Sequence, residues 1–213
     1  VTNSSKTFAL PANEAHVWHW PSEPDSDDFL ALLAPDELAR ARELSRAADR
    51  DRFVRTHAIV RLVLASYTGE PAAKLRLGRR ANGKPFLAGH KLFFSLSHSG
   101  DVAALALTRA GDIGVDIERR RELPELDVLL RTYRPRNALM PPPSRRTGAF
   151  FRWWTAAEAY GKATGAGLLR ATTGPMFDRD DRFVVLPFER PPDITGTLVA
   201  PAAVEDVHHL DYA

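Results

Sequence analysis

The sequence predicts an α+β fold made of two similar halves. Helical and strand patterns alternate along the chain, helix and strand and then helix and strand again. The strand segments are short and separated by Gly-containing turns. No sequence repeat is readable between the halves, so the similarity is one of layout alone.

Taken in order, "EAHVWHW" (14–20) reads as a first strand and "PSEPDSDD" after it as a loop. A helix is expected over 35–46, with Asp36 and Glu37 in its opening turn, and a longer one over 49–69. In the longer helix Phe53, His57, Val60 and Leu64 recur at three- and four-residue steps, a buried stripe that Gly69 stops. His57 on that stripe reads as a core histidine rather than a ligand. A strand over 74–80 leads into the turn "ANGKP" (81–85), where Lys84 by itself is a turn lysine exposed to solvent. Segments 91–99, 102–108 and 112–118 read as an antiparallel meander. Residues 119–148 are rich in Arg and Pro, with "MPPPSRRTG" as a loop, and 148–169 form the second strong helix, closed by glycines. The tail offers strands over 182–189 and 196–204.

A chain of 213 residues, 44% hydrophobic and 26% charged, has ample length for a core, as one large domain or two small ones. Its formal net charge of +2 gives no global pointer to nucleic acid. Seven arginines fall between Arg40 and Arg61, which suits either an anionic partner or a solvated basic helix face. The absence of cysteine excludes disulfides, thiolate chemistry and Cys-based zinc sites. No leader or membrane-length apolar run stands out, so the cytoplasm is the expected location, with no membrane partner.

The candidate chemistry begins at "GDIGVDIERR" (111–120). Ile113, Val115 and Ile117 alternate with Asp112, Gly114, Asp116 and Glu118, which greases one face of a strand and lines the other with acids. Two carboxylates two residues apart have Cα atoms about 6.6 to 6.8 Å apart and can close on one cation. Oxygen-only donors suit Mg²⁺. On the strand alone, an acid-lined edge that blocks pairing is an equal reading. Trp154, Glu158 and Lys162 follow at four-residue steps and so share one helix face. A third carboxylate and a cation there would complete a metal–pyrophosphate site. Ser97, His98 and Ser99 end a strand at a Gly turn and can bind phosphate, whereas no G-x-S-x-G elbow supports a serine nucleophile.

"GKP" (83–85), "FSLSHS" (94–99), "GVDIE" (114–118) and "WTAAEAYGKATGAGL" (154–168), in this order and spacing, resemble the surfactin-type 4′-phosphopantetheinyl transferases. The helix "DRFVRTHAIVRLVLASYTG" (51–69) is also family-like, so the resemblance spans roughly residues 35–170. It implies a pseudo-dimer of two α/β halves, 1–113 and 114–213, with the active site in the cleft between. It further implies transfer of the phosphopantetheine arm of coenzyme A to a serine of an acyl or peptidyl carrier protein in polyketide or non-ribosomal peptide synthesis, releasing adenosine 3′,5′-bisphosphate. By matching position, Asp116, Glu118 and Glu158 would hold Mg²⁺. Lys84, Ser97, His98 and Lys162 would contact the phosphates, and Arg52 with Arg40 the 3′-phosphate. Glu158, Lys162 and His98 would be the catalytic set. A monomer suffices for two halves in one chain.

Three departures from the family pattern stand beside this. Ala157 replaces the lysine that precedes the helix acid, and Asn137 replaces a glutamate often assigned to deprotonating the carrier serine. The segment "ERPPDITGTLVAPAAV" compresses the C-terminal strand region, which would weaken the second half. They leave two alternatives: a homologue that only binds coenzyme A or a carrier, and an enzyme repurposed for another tethered substrate in the same cleft.

Overall fold

The computed structural model describes residues 7–21, 29–135, 138–166 and 180–212. Asn137 and the expected last residues of the second long helix, 167–169, therefore lie outside the described residues.

The first half consists of β1 (Glu14–Pro21), α1 (Pro35–Glu43), α2 (Ala47–Thr68), the short β2 (Leu77–Arg79) and β3 (Pro85–Leu87), β4 (Phe93–Ser99) and β5 (Val102–Thr108). The second consists of β6 (Gly114–Arg119), α3 (Leu126–Tyr133), α4 (Arg146–Thr164), β7 (Phe183–Arg190) and β8 (Ile194–Pro201). A last strand, β9 (Asp206–Asp211), returns to the first sheet and pairs in parallel with β1. Strand order is β4-β5-β1-β9 in the first sheet and β6-β8-β7 in the second. Omitting β9, each half places its last strand in the middle of its sheet, with the strand before the long helix on one side.

Side-chain alternation sets the layers. Trp18, Trp20, Phe94, Leu105 and Leu107 face α2 and meet Ile59, Val63, Leu64 and Tyr67 in one cluster. The opposite face of the same strands carries the small Ala15, Val17, Ala104 and Ala106, which meet Val115 and Ile117 of β6 and Leu198 and Ala200 of β8. Ala159 and Ala163 of α4 cover the far side of the second sheet at Val199. The order is helix, sheet, sheet, helix, and each fully buried Leu or Ile along it contributes about 1.5–3 kcal/mol. Both long helices end as expected on a left-handed glycine, Gly69 at φ 74° and Gly165 at φ 70°.

Three expectations change. The meander stops after β4 and β5, because β5 already has β1 on its other edge, and β6 goes to the second sheet. In place of a ladder, the hydroxyls of Ser95, Ser97 and Ser99 accept the backbone N–H groups of Val115, Ile117 and Arg119 along the edge of β6. The Arg/Pro-rich stretch contains α3, whose Leu126, Leu129, Leu130 and Tyr133 pack against Phe150, Phe151 and Trp154 of α4. The C-terminal sheet is not weakened, since β7 and β8 pair along eight residues each. The compression falls in the turn, where Arg190 already faces Ile194.

Candidate active site

The acid face of β6 looks at α4. The approach is close enough that a Cβ on Gly114 would fall 1.9 Å from the Ala159 carbonyl oxygen, so glycine is required there. Two residues on, Asp116 is 6% exposed. Its Oδ1 accepts from Ser97 Oγ and from Lys162 Nζ, both at 2.8 Å. Its Oδ2 is buried with no hydrogen-bond partner among the described residues. Burial pushes this carboxyl up, against the pull of Lys162 and Ser97, and neighbouring Glu118 adds to the rise. Glu118 accepts from Ser99 Oγ at 2.7 Å and pairs with Arg121 at 3.1 Å.

Glu158 is half-buried on the facing helix and is held by no hydrogen bond among the described residues. Burial raises its carboxyl, and the charges of Asp116 and Glu118 raise it further, against Lys162. Three carboxylates and one ammonium therefore share a field, with a buried carboxylate oxygen left over.

The two lysines join elements. Lys162 Nζ spends its donors on Leu96 O at 3.5 Å, Val115 O at 3.1 Å and Asp116, tying α4 to β4 and β6. Lys84, contrary to its reading as an exposed turn residue, has a side chain only 9% exposed. Its Nζ donates to Ile113 O and Ala163 O at 3.2 Å each and pairs with Asp112 at 3.0 Å. Burial lowers its affinity for the proton, and Asp112 opposes that. The turn that carries it is pressed against α4, where a Cβ on Gly165 would meet Asn82 Nδ2 at 2.0 Å.

Lys84, Glu158 and Lys162 line a cleft of about 510 Å³, together with Leu77, Arg79, Phe94, Leu96 and Gly161. Its far wall carries Asp36, Glu37 and His57. Reading His57 as a core residue missed this position. It is half-buried, stacked on Phe53 at 3.9 Å, and its Nδ1 lies 3.0 Å from Glu37 Oε1. Glu37 Oε2 accepts from Arg61 Nε at 2.6 Å and from the Ala34 N–H at 2.9 Å. Arg61 Nη1 donates to Ala72 O and Leu75 O at 3.0 Å. Arg61 is 1% exposed, so the arginine cluster of the sequence is not one surface patch.

The remaining candidates divide. Ser97 lies behind Asp116, buried, with its hydroxyl committed to Asp116 and to the Ile117 N–H. His98 points to the other face of β4 and is exposed. Arg40 is exposed and pairs with Glu43, and Arg52 pairs with Asp49 at 3.4 Å. Neither arginine is among the residues lining the cleft. Trp154 presents its ring to Tyr133 of α3 at 4.9 Å, edge to face, which explains an aromatic on the Glu158 line. Ala157 is fully buried, one turn before the cleft-lining Gly161.

An oxygen-only donor set with a surplus of negative charge and an unpartnered buried Oδ2 fits a hard cation such as Mg²⁺. The ligand oxygens are gathered rather than closed. Among the described residues, the one set of three whose ligand atoms all lie within 4.8 Å of one another is Glu14, His16 and His208, away from these acids.

Comparison with known proteins gives two family matches. Residues 17–110 match the 4′-phosphopantetheinyl transferase N-terminal family, and residues 112–200 match the 4′-phosphopantetheinyl transferase superfamily. The 4′-phosphopantetheinyl transferase HetI of Nostoc sp. is 36% identical over 174 residues, 76% of this chain and 73% of that protein. The 4′-phosphopantetheinyl transferase AcpT of Salmonella typhi is 38% identical over 110 residues, 48% of this chain and 55% of that one. The L-aminoadipate-semialdehyde dehydrogenase-phosphopantetheinyl transferase of Mus musculus is 27% identical over 190 residues, 79% and 62% respectively.

Proposed function

The chain belongs to the 4′-phosphopantetheinyl transferase superfamily, and from that premise we propose that it is a surfactin-type enzyme, Mg²⁺-dependent, that modifies an acyl or peptidyl carrier protein. The substrates are coenzyme A and a serine of the carrier. The observation that carries this reading is Asp116: a buried carboxylate with one oxygen unpaired among the described residues, bonded to Lys162, which lines the cleft. The same strand order in both halves supports a pseudo-dimer divided near residue 113.

The carrier serine oxygen attacks the β-phosphorus of coenzyme A. A serine O–P bond forms, the bridging P–O bond breaks, and adenosine 3′,5′-bisphosphate leaves. Asp116, Glu118 and Glu158 would hold Mg²⁺, which when bound neutralises charge on the pyrophosphate. Lys162 and Lys84 add fixed positive charge at the phosphoryl oxygens. Glu158 is free for the metal-holding role, having no hydrogen bond to give up among the described residues, and the serine proton passes to bulk water. The chain's contribution is thus positioning and charge neutralisation, while the nucleophile belongs to the partner.

The test is an intact-mass assay of several apo carrier proteins with the chain, Mg²⁺ and coenzyme A. Addition of the phosphopantetheine arm at low enzyme is expected. No addition on any carrier, with coenzyme A still bound, would overturn transfer in favour of a coenzyme- or carrier-binding homologue.

A further inference from the structure

The edge where β9 lies beside β1 carries side chains the transfer reaction does not use. Parallel pairing sets His16 opposite His208, and Glu14 stands two residues before His16 on the same face. Glu14 Oε2 is 3.5 Å from His16 Nε2 and 3.6 Å from His208 Nε2. Around a tetrahedral ion with bonds of ~2.0–2.2 Å, neighbouring ligand atoms stand roughly 3.3–3.6 Å apart. Both distances from Glu14 already have that spacing, and the ligand atoms of all three side chains lie within 4.8 Å of one another.

The environment of His16 is that of a ligand rather than of an ion-pairing cation. Its ring is 8% exposed, and its Nδ1 lies 2.5 Å from the Tyr67 hydroxyl, whose oxygen also accepts from Trp18 Nε1 at 2.9 Å. That contact anchors the ring through Nδ1 and leaves Nε2 on the side of Glu14 and His208. This is the outer-shell bond that orients a ligating imidazole. His208 and Glu14 reach solvent and give an ion an entry path.

We propose that Glu14, His16 and His208 form a binding site for one late first-row transition-metal ion of the Zn²⁺ class, which clips edge strand β9 to β1. Two imidazoles and one carboxylate select this class over Mg²⁺, and a fourth position stays open to water. The site is chemically distinct from the oxygen-only acids around Asp116, and it holds whether or not the transfer reading does.

The experiment is a calorimetric titration of the untagged full chain with Zn²⁺ in excess Mg²⁺, repeated with Co²⁺ to read tetrahedral coordination in the visible spectrum. One ion per chain is expected, with affinity reduced at least tenfold in His208→Ala and in Glu14→Gln and unchanged in His90→Ala. Zn²⁺ should also slow amide exchange across 206–211 in the unmodified chain but not in His208→Ala, whose exposed position leaves the fold intact. Absence of stoichiometric binding, equal binding by His208→Ala, or displacement by Mg²⁺ would each overturn the site.

Discussion

Glu37 and Asp116 are both buried carboxylates pressed against a cation, and they have opposite characters. Glu37 has both oxygens engaged, by His57, Arg61 and the Ala34 N–H. Burial alone would raise its carboxyl, but those bonds outweigh it and hold the group below its ordinary value. Asp116 has one oxygen engaged twice and the other not at all, and it shares its surroundings with two further carboxylates, so burial wins and the group is raised. The first arrangement is finished and serves the fold. The second is left electrostatically incomplete, a state that only an added positive charge relieves.

Four measurements would break or sharpen that contrast. The largest effect is expected from Arg61→Ala, which leaves Glu37 buried against an incomplete set of donors. It should lower unfolding free energy by about 3–5 kcal/mol in a denaturant titration. A loss below ~1 kcal/mol would mean that Glu37 is no better anchored than Asp116. Asp116→Asn should do the reverse: carrier modification slowed at least ~10²-fold with a thermal midpoint that does not fall. A stability loss matching that of Arg61→Ala would place Asp116 with the scaffold instead.

Ser97→Ala strips a bond from Asp116 and from the Ile117 N–H at once, and should reduce stability by about 1–3 kcal/mol. Stability unchanged in a melt would show the seam to be held elsewhere. The smallest effect lies in pH dependence. Glu37's lowered proton affinity contributes stability that is complete above its unfolded value of ~4.3 and is lost as pH falls through its folded value. Asp116 and Glu158 are raised, so their contribution is present at low pH and lost as pH rises through their folded values. Glu37→Gln should flatten the acid limb of a stability–pH curve, whereas Asp116→Asn should flatten the opposite slope above it. Identical curves for both variants would erase the distinction.

What the chain order made readable was local. The acid alternation of β6 and the Trp154–Glu158–Lys162 line are periodic within one element and form where expected, while of the stripe expected on α2 Val60 and Leu64 are buried and Phe53 and His57 are not. Features that depend on distant partners were not readable. The meander failed because β5 had already been taken by β1, a pairing 80 or more residues apart in sequence. Lys84 looked exposed because nothing near it announces that Ile113 and Ala163 supply its acceptors. His57 sat on a helical stripe, and the stripe gave no sign that its neighbour would be Glu37 from another helix. The signal for α3 was present, at Leu126, Leu129, Leu130 and Tyr133, and was hidden by the prolines and arginines around it.

The serine edge between β4 and β6 has a consequence for how such a molecule can vary. A backbone ladder is blind to mutation, because every residue but proline supplies the same N–H and C=O groups. A join built from Ser95, Ser97 and Ser99 is instead written in codons, and each position can be lost or regained singly. One of those positions also holds Asp116, so the mating of the two sheets and the charge at the acid strand are inherited together. Drift in one is drift in the other.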